Sequence, residues 1–173
     1  MRSQWLVALV AFAPCAVLAC SPAPVADAQS GAAGEPAGAS QSARHPVSGL
    51  QVIDLAIQSA KTRHRFRVEL ADTSEAQRQG LMFRTELGED EGMLFPSDVP
   101  DVRSFWMKNT PLSLDIIFVG ADGRILNIAA NTVPYSLESV RSEGLASAVL
   151  ELRGGRAAEL GIAPGDLVEY TLP

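Results

Sequence analysis

Two short apolar runs, Leu114 to Val119 and Arg124 to Ala130, are separated only by Gly120-Ala121-Asp122-Gly123. Asp-Gly reaches positive φ at little steric cost, so the two runs are expected to pair antiparallel as a β-hairpin. That hairpin constrains the fold, because a lone two-stranded ribbon is marginal in water and needs further strands to cover its apolar side.

The chain supplies those strands. Val52 to Ile57 has strand composition, and Thr62 to Leu70 alternates strictly, with His64, Phe66, Val68 and Leu70 on one side and Arg63, Arg65, Arg67 and Glu69 on the other. This pattern predicts a half-buried strand with a basic, solvated outer face that also guards a sheet edge; an anion-binding stripe is the alternative. His64 reads as a core histidine. Gly92 to Phe95, Ser104 to Met107, Ala146 to Leu152 and Leu167 to Thr171 complete the set, with Pro96 to Asp101 as a surface turn. Asp72-Thr73-Ser74-Glu75 resembles a capping box and Gly80 stands at a C-cap position, which predicts a short helix over Ser74 to Gln79. Arg156 to Leu160 is expected to form only a helical turn. The fold class implied is mainly β, an antiparallel sandwich or partly closed barrel with one short helix. Expected buried residues are Phe66, Val68, Leu70, Leu81, Phe95, Ile116, Phe118, Ile128 and Leu150.

The N-terminus reads as a processing signal. Arg2 gives a thin positive region, Trp5 to Ala13 an apolar one, and Val17-Leu18-Ala19-Cys20 resembles a bacterial lipobox. The expected organisation is a signal peptide over 1–19, a lipidated Cys20 with an Ala/Pro/Gly/Ser tether over 20–49, and a β domain over 50–173. Cleavage after Ala28, cleavage after Ala19 without lipid, and a retained anchor are the alternatives. Ser21 after Cys20 favours sorting to the outer membrane on the periplasmic side of a bacterial envelope. His45 is expected to be a solvated tether residue.

Charge and cysteine content exclude several chemistries. The sequence carries a net charge of −6, and residues 50–173 hold 18 acids against 12 bases, so attraction of a nucleic acid by bulk charge is disfavoured. Cys15 and Cys20 are the only cysteines, which leaves the domain without a disulfide or thiolate nucleophile. His64 is the only histidine of residues 50–173, and Ser104 and Ser113 lack the setting of a nucleophile. No cofactor-binding motif is present. Met82, Met93 and Met107 each neighbour an aromatic residue; thioethers can hold copper(I), but filling a core is the simpler account, and no metal site is expected.

Candidate chemistry concentrates between Ser104 and Val119, where Trp106, Lys108, Asn109 and Asp115 stand among apolar residues and Pro111 ends a loop between two strands. Asp115 and Glu151 both interrupt apolar runs, where a carboxylate is costly unless paired. A pocket formed by Arg84, Trp106, Lys108, Asn109, Asp115 and Glu151 is the expectation.

Six segments resemble the DUF192 family: Gly80-Leu81-Met82-Phe83-Arg84, Gly92-Met93-Leu94-Phe95, Phe105 to Thr110, Leu114 to Phe118, Val149 to Leu152, and Gly161 with Gly165-Asp166. The resemblance covers about Arg67 to Tyr170 and implies a compact, mostly β domain, usually exported, without an established activity. Gly154-Gly155 departs from the single glycine of the family pattern. Two functions follow as expectations. One is a membrane-tethered binding or accessory module for a small ligand, peptide or glycan; the other is a small envelope hydrolase with Asp115 and Glu151 as its catalytic pair.

Overall fold

The computed structural model describes residues 43–173. The signal peptide expected over 1–19, the lipidation expected at Cys20 and most of the tether expected over 20–49 lie outside the described residues. The elements are β1 (Val52–Gln58), β2 (Arg63–Leu70), α1 (Ser74–Gln79), β3 (Glu91–Asp101), β4 (Ser104–Phe105), β5 (Leu114–Gly120), β6 (Ile125–Ala129), β7 (Val140–Arg141), β8 (Ala146–Arg153), α2 (Arg156–Leu160) and β9 (Leu167–Tyr170). Seven strands form one sheet in the order β6-β5-β8-β3-β2-β1-β9, and β4 pairs with β7 in a separate ribbon.

The expected hairpin is β5–β6. Gly123 takes φ 77°, its N–H donates to Gly120 O, and Asp122 Oδ1 accepts from Arg124 N at 3.1 Å, which is local turn chemistry of the expected kind. The far edge strand, β9, meets the start of β6 at a single bridge, Arg124–Leu167. The sheet therefore curls until its edges touch without becoming a closed barrel.

Each face of the sheet buries its own cluster. Along β5, Ile117 and Val119 join a cluster with Phe66, Val68, Leu94 and Leu150, whereas Leu114, Ile116 and Phe118 join one with Leu81, Met93 and Phe95. All seven residues of β5 are buried, as a strand covered on both faces must be. Of the residues expected in the core, only Ile128 is merely half-buried.

Several expectations are corrected. The β2–β3 pair is parallel, in an otherwise antiparallel sheet. β2 lies between β1 and β3, so its arginines guard no edge. Glu69, expected on the solvated face with them, is 3% exposed because the second cluster covers that face beyond Arg67. Pro96 to Asp101 continues β3 instead of turning, and its register slips after Pro96, where the ladder loses an N–H. α2 makes a second helix. α1 is as expected, with Thr73 as N-cap: its hydroxyl accepts from Ala76 N at 3.1 Å.

Residues 43–49 also differ from the solvated tether expected. Val52 N donates to Ala43 O at 2.7 Å, and the His45 side chain is only 15% exposed. It lies 3.6 Å from Glu69, which Arg84 meets at 2.7 Å and to which the Ser48 hydroxyl donates a hydrogen bond. A buried carboxylate thus fastens the segment that precedes β1 to β2 and to the chain after α1.

Close packing of β3 on β8 requires a glycine. A Cβ on Gly92 would stand 2.5 Å from the Glu151 carbonyl oxygen and 2.8 Å from the Leu152 side chain. Backbone cannot yield as a side-chain tip can, so Gly92→Ala is expected to destabilise the domain by about 3 kcal/mol in urea unfolding. A change of less than about 0.5 kcal/mol would refute this reading.

Candidate functional site

The loop expected to carry chemistry is rigidly held. Met107 is buried, its N–H donates to Ser136 O at 3.0 Å, and its sulfur accepts from the Thr132 hydroxyl at 3.2 Å. Thr110 N closes the turn onto Met107 O, and Asn109 takes a left-handed φ of 57° at its apex. Two aromatics are tied to this turn by their own N–H groups, Phe83 to Asn109 O at 2.8 Å and Tyr135 to Thr110 O at 3.1 Å. Both are more than 60% exposed and both have positive φ, 65° and 61°, which bulky side chains rarely tolerate. Trp106, 48% exposed, stands on the same loop with the Lys108 ammonium 5.2 Å from its ring centroid.

Beside this loop lies a cleft of about 420 Å³, within the range of small-molecule sites. Phe95, Leu81, Phe105 and Trp106 line its sides and Glu151 lines it from the sheet. Glu151 is 5% exposed, and its register neighbours Ile116 and Met93 place it on the same sheet face as the second apolar cluster. No residue among those described donates to its carboxyl, whose oxygens are not sealed off but open onto the cleft. Burial raises its pKa to about 8. At neutral pH it is mainly a protonated acid, able both to donate and to accept a hydrogen bond.

Two cations also line the cleft. Arg78 comes from α1 and Arg103 from the segment between β3 and β4. The Arg103 guanidinium lies 5.7 Å from the Phe105 ring centroid, and Gln77 Oε1 accepts from it at 3.4 Å. Its partial burial lowers its pKa, with Asp101 opposing the shift. Among the described residues neither arginine is within ion-pair distance of an acid.

The pocket expected from the sequence comes together only in part. Trp106 and Glu151 share the cleft, Lys108 covers Trp106 from outside, and Asn109 braces a wall residue through Nδ2, 3.9 Å from the Met82 sulfur. Arg84 is turned away to Glu69. Asp115 is a correction of another kind. It pairs in register with Leu152 and so faces the first cluster, on the opposite side of the sheet from Glu151. Its Oδ1 accepts from Asn131 N at 2.8 Å and Gly155 N at 3.0 Å, and its Oδ2 from Ala157 N at 2.8 Å. Asp115 therefore holds the start of α2, and a catalytic pair with Glu151 is excluded because the sheet stands between them. Met93 and Met107 are core side chains, Met82 is a wall of the cleft, and the described residues contain no cluster of acids, histidines or cysteines able to hold a metal. Arg78 and Arg103 were not among the expected site residues, since a lone arginine on a two-turn helix or before a two-residue strand carries no periodic signal.

Asp115→Asn replaces an acceptor by a donor among three N–H groups. It is expected to cost roughly 3 kcal/mol and lower Tm by roughly 10 °C. Glu151 should behave oppositely. Its folded pKa, about 8, exceeds the ordinary 4.5, so the folded state keeps a proton that the unfolded state releases. Stability attributable to Glu151 should then fall as pH rises from about 4.5 to 8, by up to about 1.4 kcal/mol per pH unit, and level off above. Urea unfolding of the wild type and Glu151→Gln at pH 5 to 8 measures this difference; a difference independent of pH would contradict the assignment.

Comparison with known proteins agrees with this architecture. The model of the DUF192 family, described as Uncharacterized ACR, matches residues 55–170. A crystal structure of a protein of unknown function from Novosphingobium aromaticivorans DSM 12444 is 57% identical, with 73% of this chain and 91% of that one covered and a TM-score of 0.72. A candidate transcription regulator from Sinorhizobium meliloti 1021 is 37% identical, with coverage of 70% and 95% and a TM-score of 0.68. No curated protein matches. The cleft lies wholly inside the matched span, and the chain belongs to the DUF192 family.

Proposed function

We propose that this protein is a binding module, tethered to the cell envelope through a lipid on Cys20, whose cleft over Glu151 receives a small molecule. The observation that carries the reading is an acid on two-sided core strand β8, desolvated, without a protein partner among the described residues, and open to an aromatic-walled cleft. Packing alone favours an apolar residue there. A costly polar group placed where a ligand can reach it points to a site, since binding and stability call for different side chains. The exposed aromatics Phe83, Trp106 and Tyr135 support the same reading by surrounding the loop that walls the cleft.

Two measurements test it. Glu151→Leu is expected to raise Tm by several degrees while abolishing the response of Trp106 fluorescence to a small-molecule library, and Trp106→Ala is expected to abolish binding with little change in stability. If Glu151→Leu unfolds the domain, the carboxyl is structural. Tethering is supported by Val17-Leu18-Ala19-Cys20 and the small-residue segment behind it. Mass spectrometry of the mature chain should find an acylated Cys20; an unmodified N-terminal Gln29 would overturn it.

A further inference from the structure

The ionisable groups along the cleft are laid out with an acid within and two bases nearer the solvent. Glu151 is buried, whereas Arg78 is exposed and Arg103 half-buried, yet all three line the same cavity without an ion pair joining them. Other charges are already engaged. Glu69, beyond Met93 on the same face, is held by Arg84, and Arg153, two residues along β8, is held by Glu159 at 2.6 Å. The cavity therefore presents an acid and two bases with no ion pair among them, Asp101 acting on Arg103 only from beyond ion-pair distance.

Its walls select among ligands as well. Phe105 and Trp106 each already carry a protein cation within 6 Å of the ring, Arg103 on one and Lys108 on the other. The Glu151 carboxyl and the Met82 thioether can accept an ammonium entering the cavity, whereas Arg78, Arg103 and the nearby Lys108 repel a plain amine or polyamine. A simple anion can meet the arginines but brings no cation to the buried Glu151 carboxyl.

We infer that the ligand is amphoteric, of the amino-acid type: its ammonium enters first and pairs with Glu151, and its acidic group remains at the mouth with Arg78 and Arg103. This rests on the cleft being the binding site. As the ammonium seats, the Glu151 carboxylic acid gives up its proton to solvent, so an uncharged acid and a cation become an ion pair plus one released proton. Release is near stoichiometric at pH 7 because the empty site holds its proton up to about pH 8.

Calorimetry on the purified protein with 6-aminohexanoate, hexanoate, hexylamine and glucose separates the possibilities. The expected result is that 6-aminohexanoate binds at least tenfold more tightly than the other three. Its enthalpy should depend on buffer ionisation with close to one proton released at pH 7, and Glu151→Gln should weaken it at least tenfold and abolish proton release. Arg103→Met should remove the preference over hexylamine. If glucose or hexanoate binds equally well and Trp106→Ala abolishes that binding, the amphoteric assignment falls and the cleft remains a binding site. If 6-aminohexanoate binds without proton release, or if no probe binds, the assignment is likewise overturned. If binding of any probe is indifferent to both Glu151→Leu and Trp106→Ala, the cleft reading falls with it.

Discussion

Two central strands covered on both faces govern this structure. All of β5 is buried, and β8 beside it is buried from Ala148 through Leu152, so a polar group on either stretch is largely desolvated. Such a group must find partners within the protein or stay uncharged. Asp115 and Glu151, neighbours across the β5–β8 ladder and on opposite faces, meet this demand in the two possible ways.

Asp115 finds donors. Three backbone N–H groups from the 131 turn and the start of α2 converge on its carboxylate, so the cost of burial is offset by hydrogen bonds that also fix where α2 begins. Glu151 finds none among the described residues, and burial moves its ionisation into the neutral range instead. The same functional group, one ladder step away, is a structural brace on one face and a reactive group on the other. Glu69 adds a third outcome: at 3% exposure it is compensated by Arg84 and Ser48, and so pins the segment ahead of β1.

The remainder of the cleft is built from short irregular pieces. β4 has two residues and α1 six, too few to be stable alone, and both depend on the second apolar cluster beneath them. Phe95, Phe105 and Phe118 stack edge to face at 5.1 and 6.2 Å, linking the sheet to the ribbon that carries Trp106. The positive φ values of Phe83 and Tyr135 are maintained by the same turn that places Lys108 over Trp106.

Local chemistry was legible in the sequence wherever a few adjacent residues decide the outcome. The Asp122-Gly123 hairpin, the Thr73 cap, the alternation that buries Phe66 and Val68, and the apolar run of β5 all act through neighbours in the chain. The unusual cost of Asp115 and Glu151 was legible too, because a carboxylate inside an apolar run is conspicuous without coordinates. Which face each occupies was not. That depends on register across β5, β8 and β3, and a shift of one residue exchanges the two faces of a strand. Tertiary structure alone placed β2 inside the sheet beside a parallel partner, turned Arg84 to Glu69, and brought Arg78 and Arg103 to the cleft over Glu151, since these contacts join residues far apart in sequence.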